Sequence, residues 1–204
     1  QLQKNISFDL GMSLKNFMVL NTGRNDNPDY YGTAYASGML DLNYDQFSSK
    51  TGIEANLTTE KNTIFNIPLE GNEEIEESNY ITFVTKIDSA ELNKITKEEV
   101  DLSKFSMLFN LTVSDNAEVR LIFDEKIGDI MRSRGNGDLR LEINSAGDFT
   151  IFGDYEVASG DYLFTLQNVI NKRFNLLEGG TIQWNGDPLD AYLNISASYR
   201  TRAR

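Results

Sequence analysis

Phe149-Thr150-Ile151-Phe152-Gly153-Asp154-Tyr155-Glu156-Val157 is the stretch that decides the fold. Phe149, Ile151, Tyr155 and Val157 fall on alternate positions, with Thr150, Asp154 and Glu156 between them. A period of two puts the apolar set on one face of an extended strand and the polar set on the other. Working outward, Leu139, Leu141 and Ile143 alternate with Arg140 and Glu142 upstream, and Tyr162, Phe164 and Leu166 follow Ser159-Gly160-Asp161 downstream. Leu193, Ile195, Ala197 and Tyr199 repeat the pattern near the end. Toward the start it recurs in Ile6 to Leu14, Ala34 to Tyr44, Ile53 to Leu57, Ile64 to Leu69, Tyr80 to Val84, Met107 to Val113 and Val119 to Phe123. Asn144-Ser145-Ala146-Gly147-Asp148, Glu178-Gly179-Gly180 and Asn185-Gly186-Asp187-Pro188 supply turns between them. Strands spaced roughly every 10 to 15 residues imply an all-β chain of meanders.

Two segments depart from this period. Ala90 to Leu102, entered at Ser89, predicts a short amphipathic helix, and Glu125 to Arg134 could hold a second. Glu70 to Glu77 carries five acids in eight residues and reads as a loop, as does Asn21 to Tyr31 with Pro28. No linker rich in Gly, Ser or Pro divides the chain, so residues 1–204 are expected to form a single β-rich domain.

The chain has 204 residues, a net charge of -12, and neither cysteine nor histidine. Disulfides, Cys or Cys/His zinc sites, Cys nucleophiles and Ser-His-Asp triads are therefore excluded. Its bases are scattered, which argues against nucleic acid; Lys172-Arg173 and the terminal arginines read as solvated charge. No apolar run approaches a membrane-spanning helix, and residue 1 is Gln, so the chain is expected to be a fragment of a longer protein.

Candidate chemistry is sparse. Gly135-Asn136-Gly137 lacks the third glycine of a phosphate loop and precedes a strand, so it reads as a bend. Asp154 and Glu156 share a strand face, but the face opposite the apolar one, where they meet water. Asn25-Asp26-Asn27 and Asn185-Gly186-Asp187 do not continue into a calcium-loop pattern. Sequons at Asn5, Asn56, Asn110 and Asn194 all fall within strand patterns, as parts of an alternating polar face. No catalytic, metal or cofactor residues are assigned.

What remains is the apolar face itself. Almost no helix is available to cover it, so the sheet must fold onto itself or leave an apolar trough. The expected lining is Leu139, Leu141, Ile143, Phe149, Ile151, Tyr155, Tyr162, Phe164, Leu166, Leu193 and Ile195. A β-sandwich module with a closed core is the alternative, and a polysaccharide hydrolase with two convergent acids a third.

The run Arg134-Gly135-Asn136-Gly137-Asp138-Leu139-Arg140-Leu141, then Phe149 to Val157, Gly160 to Asn168, Asn171-Lys172-Arg173-Phe174, Gly179 to Pro188 and Ala191 to Tyr199, resembles the C-terminal domain family of TamB, the translocation and assembly module component of Gram-negative bacteria. The resemblance covers residues 105–204 well and residues 1–84 loosely, mainly through Tyr31 to Gly38. It implies a long antiparallel sheet curved into a U-shaped, taco-like groove with an apolar interior, and no catalytic residues. It also implies a periplasmic location within a protein anchored in the inner membrane by an N-terminal helix. The implied partners are an outer-membrane barrel of the TamA/BamA class, and phospholipid acyl chains or nascent outer-membrane β-strands as cargo. The implied roles are autotransporter assembly, protein secretion and phospholipid transport.

Overall fold

The computed structural model describes residues 6–46, 50–69, 105–146, 148–166 and 170–201. The predicted strand at Tyr80 to Val84, the acidic loop and the helix at Ala90 to Leu102 lie outside them. The described chain is all-β: β1 (Ser7–Thr22), β2 (Tyr31–Asp45), β3 (Lys50–Thr59), β4 (Ile64–Pro68), β5 (Phe105–Val113), β6 (Glu118–Asp124), β7 (Asp129–Asn144), β8 (Phe149–Leu166), β9 (Ile170–Leu176), β10 (Gly180–Gly186), β11 (Tyr192–Asn194) and β12 (Ala197–Ser198). The sole helical element among them is a 3-10 turn, Pro188–Asp190, where Asp187 accepts a bond from the Leu189 amide at 2.8 Å.

The strands form one sheet, in the order β11-β10-β8-β7-β5-β3-β2-β4-β6, with β1 on β2, β9 on β8 and β12 on β9. Two expectations are corrected here. The sheet is mixed rather than wholly antiparallel, because β3 pairs β5 and β4 pairs β6 in parallel. Nor is it a simple open U. β6 also pairs β7, so β7-β5-β3-β2-β4-β6 closes into a six-strand ring, with β1 and β8 to β12 as extra strands. The second helix fails as well: residues 125–128 form a turn and β7 begins at Asp129. Ile127, Ile130 and Met131, spaced as on a helix, are divided between the two. Gly135-Asn136-Gly137 lies inside β7 rather than in a bend before it.

The register explains the ring. Gly32 and Gly38 each pair β1 on one side, and on the other side they pair β4 and β3 respectively. β3 and β4 therefore lie end to end along one edge of β2. By the same argument β5 and β6 lie end to end along β7, opposite β8. The ring encloses the interruption between them, at 60–63 and 114–117.

This interruption continues across the whole sheet. β1 bulges between Leu14 and Phe17, with Asn16 at φ 46. β7 and β8 shift register between Arg134 and Gly135, and β9 and β10 are separated by residues 177–179 along β8. A single line of breaks thus divides the sheet into two halves. One half carries β3, β5, β10 and β11; the other carries β4, β6, β9 and β12; β1, β2, β7 and β8 cross from one to the other.

Short polar side chains stitch the line. Thr63 Oγ1 accepts from the Tyr35 amide and donates to its carbonyl, both at 3.0 Å. The Ser114 amide donates to Thr59 Oγ1 at 2.9 Å, and Ser114 Oγ donates to the Thr59 carbonyl at 3.1 Å. Ser133 Oγ donates to the Val119 carbonyl at 3.2 Å. Backbone groups that a continuous ladder would have paired are satisfied this way instead.

The two halves face each other. Tyr30, leading into β2 on one half, stacks on Phe65 of β4 at 6.0 Å and meets Phe149 of β8, on the other half, at 4.4 Å. Ile67, Val119, Leu121 and Met131 from one half join Leu139, Leu141, Ile151, Tyr155, Val157, Ile182 and Trp184 from the other in one buried cluster. Arg24 pairs with Glu125, tying the β1–β2 loop to the β6–β7 turn.

Candidate functional site: the apolar interior

Cross-strand partners share a sheet face, so the register builds the interior row by row. Met12, Leu40, Ala55, Phe109, Leu141 and Ile151 form one row across six strands. Leu10, Leu42, Ile53, Met107, Ile143 and Phe149 form the next. Along the first row, exposure runs from 38% at Met12 to 0% at Ile151. Along the second it runs from 49% at Leu10 to 8% at Phe149. The same apolar face is thus sealed at β8 and uncovered at β1, because the apposed half is short there: β4 pairs β2 only from Tyr31 to Thr33.

Between these ends lies a cavity of about 250 Å³ with an almost wholly apolar lining. Leu139, Leu141, Ile143, Phe149 and Ile151 line it, joined by Leu20, Leu57, Phe65, Phe109 and Leu111. Of the other residues named from the sequence, Tyr155 is buried in the main cluster, and Tyr162, Leu193 and Ile195 pack against it. Phe164 is half-buried, 6.1 Å from the Tyr162 ring. Leu166 pairs Ile170 through its backbone, and its side chain lies outside the described residues.

The sequence-based set leaves out the open end: Phe8, Leu10 and Met12 of β1, with Leu40 and Leu42 of β2. Phe8 packs on Tyr44 with ring centroids 5.5 Å apart. Their alternation is visible in the sequence, but alternation reports which face a side chain takes and says nothing of what covers that face. Tyr30 is also missed; in a loop without periodicity, nothing marks it as a clasp between halves.

The interior holds few polar groups and little electrostatics. Burial pushes the Tyr155 hydroxyl up to about 12, a shift that Ser133 and Arg134 nearby only partly offset, and the hydroxyl makes no hydrogen bond of normal geometry. Burial likewise raises Tyr30. Charges sit on the outer face, in pairs such as Arg120–Glu118 at 2.6 Å and Arg140–Glu142 at 2.6 Å. Asp154 and Glu156 are exposed there. Among the described residues, no group of three or more acids is placed to hold a metal ion.

A two-faced sheet of this length, with its oily side turned inward and its charges outward, is matched over residues 1–204, the whole chain, by the family model for the TamB C-terminal domain. The chain belongs to the TamB C-terminal domain family. No curated protein and no solved structure matches it. TamB proteins are non-enzymatic assembly and transport modules of the cell envelope. Among the described residues, no helix is long and apolar enough to cross a membrane.

Proposed function

We propose that this TamB domain is a non-catalytic module of outer-membrane biogenesis whose apolar interior, open at its β1 end, takes up lipid acyl chains, working in the periplasm beside an outer-membrane barrel of the TamA/BamA class. The observation that carries this is the fall in exposure along a single apolar row, from Leu10 at 49% through half-buried Leu42, Ile53, Met107 and Ile143 to Phe149 at 8%. Here the β8 end is a sealed core that holds the fold, and the β1 end is an open apolar surface continuous with it.

The energetics suit an acyl chain. Carrying a 16-carbon chain through water costs on the order of 13 kcal/mol at about 0.8 kcal/mol per CH₂. An apolar surface removes most of that cost without contacts to a headgroup. A second reading, shelter of a nascent outer-membrane strand, is favoured by the outer edge of β1, which among the described residues pairs only β2. That edge offers backbone pairing to an added strand.

Delipidated protein titrated with a fluorescent fatty acid tests the reading. The native chain should bind, and Leu10→Arg should lose binding while its far-UV CD stays native. If the native chain does not bind, or Leu10→Arg binds as well as native, the trough reading fails and the interaction module with a closed core replaces it. A photocrosslinker at Phe8 that captures polypeptide and no lipid would favour the strand reading.

A further inference from the structure

The outer face carries a second concavity, independent of the interior. β3 and β5 each contain the triplet Asn-Leu-Thr, Asn56-Leu57-Thr58 and Asn110-Leu111-Thr112, and their parallel pairing sets the triplets side by side in register. Asn110 Nδ2 donates to Asn56 Oδ1 at 3.0 Å. Thr112 Oγ1 donates to Asp138 Oδ1 on β7 at 3.0 Å. Across β7 and β8 the same row continues to Arg140 and Phe152, with the guanidinium 5.0 Å above the ring. These side chains line a shallow groove of about 660 Å³ that crosses β2, β3, β5, β7 and β8, bounded by Gly38 and Gly153.

We infer that this groove binds a linear, uncharged glycan bearing hydroxyl and acetamido groups. Three features point there. The floor repeats once: identical amide and hydroxyl groups on β3 and β5 stand one strand apart, about 4.8 Å, close to the length of one pyranose in an extended β-linked glycan, and the row then continues to the Phe152 ring. Two equivalent amide–hydroxyl pairs beside a ring match two successive sugar units, with the ring facing the next. The groove crosses the middle of the sheet, where every strand is paired on both sides, so there is no free backbone to bind a peptide by strand addition; recognition falls to side-chain amides, hydroxyls and a ring. Charge disfavours polyanions: Glu54, Asp138, Glu142, Asp154 and Glu156 outnumber Arg132, Arg134 and Arg140 on this face, in a chain of net charge -12. The Asn110–Asn56 bond leaves Asn56 donors and Asn110 acceptor capacity for a ligand acetamide.

The intact chain, titrated with a β-1,4-linked N-acetylglucosamine hexamer and followed by amide NMR, tests this. Shifts should be confined to Asn56, Thr58, Asn110, Thr112, Arg140 and Phe152. The Asn56→Ala, Asn110→Ala double variant, which alters only solvent-facing side chains, should weaken binding at least tenfold with its CD unchanged. Leu10→Arg, which disables the interior, should leave glycan binding untouched, so the two sites fail separately. A hexamer that moves no groove residue overturns the inference. So does a double variant that binds as native, a polygalacturonate that binds as well as the hexamer, or an extended peptide that moves the same residues.

Discussion

Gly153 sits in β8 at φ +122, where a Cβ would come within 2.2 Å of the Asp138 carbonyl oxygen. Gly38 repeats this in β2 at φ +151, against the Asn56 carbonyl. The two lie on one cross-strand row, through Leu57, Leu111 and Leu139. A side chain at either position must push neighbouring backbone apart and adopt a left-handed conformation. Gly153→Ala should therefore lose at least about 2 kcal/mol in urea unfolding, beyond the ordinary glycine-to-alanine range. Tyr155 gives a second prediction at this scale. A phenol pushed up to about 12 in the fold, from an ordinary value of 10, keeps its stabilising neutral form below pH 10 and loses that advantage as pH rises toward 12. Alkaline unfolding followed by CD should set in between those values, and Tyr155→Phe should move the transition upward. At neutral pH the variant should cost little, since the hydroxyl it removes has no bond of normal geometry to lose.

At the scale of elements, Thr63 replaces two ladder bonds at the break between β3 and β4. Thr63→Val keeps the shape and strands the Tyr35 amide, while the Tyr35 carbonyl still accepts from the Glu60 amide at 2.8 Å, so it should destabilise by about 1–3 kcal/mol in urea titration. The strands themselves were legible because their period is local: Phe149 to Val157 and Leu139 to Ile143 stand where alternation puts them. The parallel pairings of β3 with β5 and β4 with β6 were not. Parallel registry depends on where the chain re-enters the sheet, and no local pattern encodes that. The sequons at Asn56 and Asn110 show both sides of this. Each looked like a polar strand face, which it is, but only the registry reveals that the two triplets are neighbours. The helix expected at Glu125 to Arg134 failed because three apolar residues over so short a span fit either period, and the β7 pairings decided the matter.

For the whole molecule, Leu139, Leu141, Ile143, Phe149 and Ile151 of the residues named from the sequence line one cavity, and their alternation is what made them legible. Their burial was not legible, because it depends on how far the opposite half reaches. The consequence is a graded response to one kind of substitution. Ile151→Arg and Leu141→Arg would bury an unpaired charge in the sealed region, and each should cost more than about 4 kcal/mol, enough to unfold the chain. Leu10→Arg lies on the neighbouring interior row at the open end, and thermal unfolding should shift little. Equal losses at all three positions would mean that the β1 end is as closed as the β8 end.

The line of breaks that crosses every row of the sheet has a mechanical consequence. Stretching the molecule along its strands would rupture ladders of backbone bonds. Turning one half about the line, as a book turns on its spine, bends β1, β2, β7 and β8 at their bulges, strains the threonine and serine stitches, and must part the buried cluster that joins the halves, the Tyr30–Phe149 contact included. The separation of the two halves is therefore held by side-chain packing and not by interstrand ladders, so substitutions in the shared core, more than those along a strand edge, would change it.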